Sequence, residues 1–298
     1  MTGTIAFGFF GLAVLLSIAF AFSDKRGAID WRMVASGVGL QLLFAVLVII
    51  VPGGRQFFEG LSSVFVRVIS FSLDGAAFIF GSLADPSNLG FIFAFQVLPT
   101  IIFFAALMGV LYHLGIMQKV VEGMAWVMFK VLRISGAESL SVAANVFVGQ
   151  TEAPLVVRPY IARMTDSELL TMMIGGMATI AGGVLAAYIT MLGGADEAAR
   201  IFYAKHLLSA SIMAAPATIV IAKILKPETQ ESLTRGEVRL HVEKTATNVI
   251  EAAANGAADG WRLALNVGAM LLAFIALIAM IDYPLNWLGE ISGFESQT

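Results

Sequence analysis

Apolar residues in this chain fall into six long runs: Thr4–Phe22, Met33–Val51, Phe91–Met117, Leu169–Leu192, Leu207–Leu225 and Trp261–Ile281. A bilayer core of about 30 Å takes about 20 apolar helical residues to cross, so each run predicts a membrane-spanning helix. Thr4–Phe22 carries no charge and no basic residue precedes it, which predicts a retained span and not a secretory leader. Lys25, Arg26 and Arg32 in the short segment that follows predict a cytoplasmic loop and an N-terminus on the outer side. Pro99 predicts a kink in the third run, and Pro216 one in the fifth.

Between the runs the pattern is mixed. Phe57–Phe71 sets Glu59 and Arg67 among Phe, Val and Ile, and Gln118–Ser135 sets Lys119, Glu122, Lys130 and Arg133 among apolar residues. The first predicts a helix lying in the membrane interface or against other subunits, the second an interfacial or amphipathic helix. Leu73–Leu89 reads as loop from its Gly, Asp and Pro, and Lys226–Gly260 as a polar loop with a short amphipathic element. Asp282–Thr298 reads as a short amphipathic tail.

Ala137–Met164 departs from this scheme. It is apolar enough to enter a bilayer, yet Gly149-Gln150-Thr151-Glu152-Ala153-Pro154 interrupts it. Each arm is only about half as long as the hydrocarbon core is thick. Pro154 also disfavours helical geometry at Ala153, so the segment predicts a re-entrant hairpin. Its tip would carry an amide, a hydroxyl and a carboxylate at mid-membrane. An acidic residue there costs about 2.5–3.5 kcal/mol, which makes Glu152 a functional candidate; the alternative is a solvated loop outside the membrane. In Leu169–Leu192, Gly175-Gly176 and Gly182-Gly183 fit either an unwound stretch beside Thr179 or close helix packing.

Composition narrows the class. The 298 residues are 58% hydrophobic and 13% charged, with mean hydropathy +0.86, the balance of an integral membrane protein. A net charge of -3 gives no footprint for nucleic acid, and the absence of cysteine excludes thiol chemistry and disulfides. His113, His206 and His241 are scattered and carry no metal-ligand spacing. No second acid or nucleophile accompanies Glu152, so neither an enzyme nor an organic cofactor is expected.

The segment GQTEAPLVVRP, Gly149–Pro159, resembles the concentrative nucleoside transporter family. So do Ser141–Val148 before it, Ala178–Ala186 after it, Phe91–Phe104 and Asn248–Phe274, all in family order. The resemblance implies a cation-coupled symporter assembled as a homotrimer in the plasma membrane, the inner membrane of a bacterium. By position, Gln150, Thr151, Glu152 and Val184 would contact a nucleoside such as uridine. Asn145, Val148, Thr179 and Ile180 would hold sodium, a hard cation that prefers oxygen. Burial favours protonated Glu152 and neighbouring donors the carboxylate, so proton coupling stays open.

The expected fold is an all-α membrane protein of about six spans with interfacial helices, a re-entrant hairpin and a broken helix, half of an inverted-repeat transporter core. Residues 1–90 and 91–136 would form scaffold, 137–225 the transport region, and 226–298 a polar loop, final span and tail. The second repeat of the family, with its ribose-binding motif, is not recognisable between Trp261 and Thr298. The chain therefore reads as the N-terminal portion of a sodium–nucleoside symporter, with a proton-coupled symporter or a non-transporting membrane scaffold as alternatives.

Overall fold

The computed structural model describes residues 2–85, 90–150, 153–194, 196–232 and 246–292. All regular structure among them is helical. α1 (Thr2–Ala21) and α2 (Trp31–Ile49) are joined by a short basic loop. Asp30 caps α2, its carboxylate accepting the N–H groups of Arg32 and Met33, two donors the first helical turn leaves over. Pro52 opens α3 (Pro52–Phe80) at a position where its missing N–H costs nothing.

α3 corrects two expectations. The predicted interfacial helix Phe57–Phe71 extends to 29 residues, and the predicted loop from Leu73 is helical through Phe80, with one further 3-10 turn to Ala84. By length and composition α3 and that turn suffice to cross a membrane. Phe58, Ser62, Val66, Ile69, Ser72 and Ala76 bury one face, and the polar residues that argued against a span stand off it: Glu59 accepts from Arg55 at 2.9 Å and Lys205 at 3.0 Å. Among the described residues six helical segments, two of them taken across the breaks at Val97 and Thr179, are long and apolar enough to span; α3 is one of them, while Ala6–Ala21 of α1 is a shorter apolar helix.

The third run divides into α4 (Phe93–Gln96) and α5 (Leu98–His113), broken at Val97 because Pro99 supplies no N–H to the ladder. Gly115, in the left-handed region, ends the run and starts α6 (Ile116–Leu132). α7 (Gly136–Asn145), α8 (Ala153–Val156) and α9 (Arg158–Ile161) come next. The fourth run is also split, into α10 (Asp166–Ala178) and α11 (Gly182–Gly193). α12 (Glu197–Leu225) passes Pro216 without ending and packs against α1, α2, α3, α7, α10 and α11, so it is the post of the bundle.

α13 (Val249–Ser292) is longer than its predicted span. Its 44 residues reach about 66 Å, taking in the end of the expected loop, from Val249 to Gly260, and the expected tail from Asp282 through Ser292. It lies along α5 through small residues. A Cβ on Gly256 would stand 2.6 Å from the Ala105 carbonyl oxygen, one on Gly260 2.8 Å from the Ile102 Cα, and one on Gly109 2.7 Å from the Ala252 oxygen. Gly256 and Gly260 form a Gly-x-x-x-Gly face that admits the neighbouring backbone, the packing used where lipid offers no hydrophobic drive. Gly256→Ala is expected to lower stability by about 1–3 kcal/mol through overpacking against fixed backbone. Gly268→Ala, whose methyl would meet only Leu98 at 3.4 Å, is the control. Equal unfolding midpoints for the two variants would contradict this close approach.

Candidate functional site

The hairpin is built from its base upward. Ser135 and Glu138 form a capping box at the start of α7, and Thr165 and Glu168 form a second at the start of α10. These two helix starts lie at one end of the molecule. Thr171 Oγ1 donates to Glu138 at 2.9 Å, and Lys223, near the end of α12, pairs with Glu138 and donates to the Ser167 hydroxyl at 2.9 Å. The chain therefore rises through α7, turns, returns through α8 and α9, and starts up again as α10. α7 spans 10 residues, about 15 Å, as expected of an arm that reaches only halfway. Ala137, Leu140, Ala143 and Ala144 of one arm share a core with Ala153, Val156 and Val157 of the other.

The hairpin tip meets the break between α10 and α11. Gly182 donates its N–H to the Phe147 carbonyl at 3.0 Å, a bond between two points where the helical ladders stop. A Cβ on Gly182 would lie 2.9 Å from that same oxygen, so only glycine fits the junction. The two glycine pairs thus divide the alternatives the sequence left open. Gly182-Gly183 opens the second half of the broken helix, while Gly175-Gly176 stays helical and packs closely, Gly175 facing Asn145 and Gly176 facing Gln150.

A cavity of about 1230 Å³ opens on this junction. Val148, Gln150, Thr179, Ile180 and Val184 all line it. Asn145 closes α7 just behind, 1% exposed, with neither its amide oxygen nor its nitrogen hydrogen-bonded among the described residues. Thr179 Oγ1 donates back to the Gly175 carbonyl at 2.9 Å. Thr151 and Glu152, the other two predicted nucleoside contacts, lie outside the described residues. Neutral amide, hydroxyl and carbonyl oxygens gathered at helix ends suit a small hard cation.

The far wall of the cavity was not foreseen. Phe104, Met108 and Tyr112 of α5 and Asn255 and Asp259 of α13 face the tip, with His113 and Arg158 also lining it. The small-residue spacing Gly256–Gly260 was the sequence signal that α13 runs against α5. The Glu138–Lys223 pair had no such signal, because the two residues come together only through the fold.

Three family models match the chain: the N-terminal part of Na+ dependent nucleoside transporters over residues 10–83, a nucleoside recognition gate over 94–195, and the C-terminal part of Na+ dependent nucleoside transporters over 206–298. An uncharacterized transporter of Haemophilus influenzae is 47% identical over 289 residues, covering 97% of this chain and 67% of that protein. Sodium/nucleoside cotransporter 2 of Rattus norvegicus is 42% identical over 95% of this chain, which spans 41% of the rat protein's length. The solved structure of CNTnw in an inward-facing substrate-bound state is similar at a TM-score of 0.84 and 45% identity, over 95% of this chain and 66% of that one. With these matches running along nearly the whole of a helical membrane chain, the protein belongs to the concentrative Na+/nucleoside cotransporter family.

Proposed function

We propose that this chain carries the nucleoside- and sodium-binding half of a sodium-coupled nucleoside symporter. Gln150, Thr151, Glu152 and Val184 contact the nucleoside, uridine being the probe of choice, the first three through hydrogen bonds to the base. Asn145, the Val148 carbonyl, the Thr179 hydroxyl and the Ile180 carbonyl hold the sodium ion. One observation carries the reading: the Gly182–Phe147 bond joins hairpin tip to helix break and puts Val148, Gln150, Thr179, Ile180 and Val184 on a single cavity. The donors beside Asn145 are neutral oxygens, which favours sodium over a proton as the coupling ion. Sodium bound there would neutralise part of the cost of keeping polar groups at mid-membrane and lock tip against break, so that nucleoside affinity rises with sodium.

In this reading residues 1–90 and 91–136 are scaffold and 137–225 the moving transport region, in a homotrimer of the plasma membrane. Under the positive-inside preference the basic loop 23–32 is placed on the cytoplasmic side. Asp24 donates its N–H to the Leu225 carbonyl at 2.9 Å, so that loop lies at the same end as the hairpin base, which is then cytoplasmic.

The test is binding of labelled uridine to the purified 298-residue chain in lipid nanodiscs, in sodium and in choline. Binding should require sodium, and Glu152→Gln should weaken it about tenfold, the loss of one charge-assisted hydrogen bond. Sodium-independent binding, or an unchanged Glu152→Gln variant, would discard the assignment.

A further inference from the structure

We propose that Ser141, Asn145 and Thr218 form one buried, water-holding pocket whose bound water fixes the Asn145 carboxamide for the cation. The proposal rests on the sodium reading above. It begins from hydroxyls that lack partners. Serine and threonine inside a helix ordinarily return their hydroxyl hydrogen to a carbonyl one turn back, and this protein follows the rule at Ser62, Ser139, Thr179, Thr190 and Ser209. Ser141 and Thr218 depart from it. Each is at most 2% exposed, and neither hydroxyl meets a hydrogen-bond partner among the described residues.

These orphans are not scattered. Ser141 stands one turn before Asn145 on α7, on the same face, and the Asn145 amide is itself unpartnered at both atoms. Thr218 comes from α12. The Asn145 nitrogen and the Thr218 methyl both lie within 4 Å of the point a Cβ on Gly175 would occupy, so the two side chains meet over the same glycine. One turn-pair earlier on α12, Ser211 reaches the Val146 carbonyl at 3.4 Å, so a polar stripe of α12 follows the upper part of the hairpin arm. Unmet hydrogen-bonding groups on facing helices are costly unless something bridges them, and a water molecule needs two to four polar partners, which this set supplies. The hydroxyls offer both donors and acceptors, whereas the Asn145 oxygen must stay free to accept a cation. Water bonded to the amide nitrogen would hold the carboxamide in that one orientation.

Thr218 and Ser141 are thus positioning residues for sodium, and their contribution is separable from simple packing. Sodium binding to the full chain in nanodiscs is followed by isothermal titration against a choline background. Thr218→Val, which keeps the shape and removes the hydroxyl, should raise the sodium dissociation constant about tenfold, the effect of one net hydrogen bond. Ser141→Ala should do the same, while Thr218→Ser should remain within about twofold of the parent. If both hydroxyls were only tolerated orphans, Thr218→Val would raise the unfolding midpoint and leave sodium affinity unchanged, and that result overturns the pocket. A parent chain that takes up no sodium would instead remove the cation reading itself, and this proposal with it.

Discussion

Lys223→Met is expected to destabilise the protein by about 3–5 kcal/mol, the typical cost of leaving one member of a buried ion pair uncompensated. Lys223 and Glu138 pair at 2.5 Å with side chains 8% and 2% exposed, and the remaining capacity of each is filled. Glu138 also accepts from Thr171 Oγ1 and from the Ser135 N–H, and Lys223 also reaches Ser167 and, at 3.5 Å, Glu228. Glu228 in turn accepts from Thr165 Oγ1 at 2.7 Å. The network therefore ties the start of the hairpin, the start of the broken helix and the end of α12 into one knot. Adding Glu138→Gln should restore most of the loss, because glutamine keeps an acceptor for Thr171 and carries no charge to strand. The midpoint of thermal unfolding, followed by tryptophan fluorescence in nanodiscs, measures both. A single variant within about 1 kcal/mol of the parent would show that the charge is solvated after all.

The knot also marks the limit of what the residues disclose one at a time. Apolar run length and the two half-length arms were enough to predict a helical membrane protein, the hairpin and a candidate break beside Thr179. A helix was legible over Phe57–Phe71, but not its reach across the membrane, because Glu59 and Arg67, which sit outside the buried face Phe58–Ser62–Val66–Ile69, made the segment read as interfacial. The extended α13 was obscured by Asn248–Gly260, a polar, Gly-containing stretch that reads as loop until Gly256 and Gly260 are seen to be pressed on Ala105 and Ile102. The site was legible in part. Gln150 stood out because polar groups in an apolar hairpin are costly, and it lines the cavity, whereas Glu152, a candidate for the same reason, lies outside the described residues. Which of the two glycine pairs unwinds and which packs depends on Phe147, Gln150 and Asn145 approaching from another segment. No local pattern contains that information.

On the proposed assignment of cation and nucleoside positions, Gly175→Ala and Gly176→Ala are expected to separate the two halves of the site although they alter adjacent residues. A methyl on Gly176 would lie 2.8 Å from Gln150 Cβ and 3.4 Å from Gln150 Cα. Those atoms cannot turn aside by a rotamer change, so the hairpin tip must move and carry Gln150 with it. Overpacking of this kind costs about 2 kcal/mol, which as lost nucleoside affinity is about thirtyfold. A methyl on Gly175 would instead lie 3.1 Å from the Asn145 amide nitrogen, at the end of a side chain that can give by a few tenths of an ångström. Its effect should be smaller, about fivefold, and should fall on sodium, because the carboxamide rotates away from the orientation that accepts the ion. Titrating each variant with sodium alone, and with uridine at saturating sodium, resolves the two effects. If both substitutions weaken both ligands by the same factor, the glycines act only by loosening α10 against the hairpin. If each acts on its own ligand, successive residues of one helix face the cation and the nucleoside separately, and the coupling between them runs through the few ångströms of hairpin tip from Asn145 to Gln150.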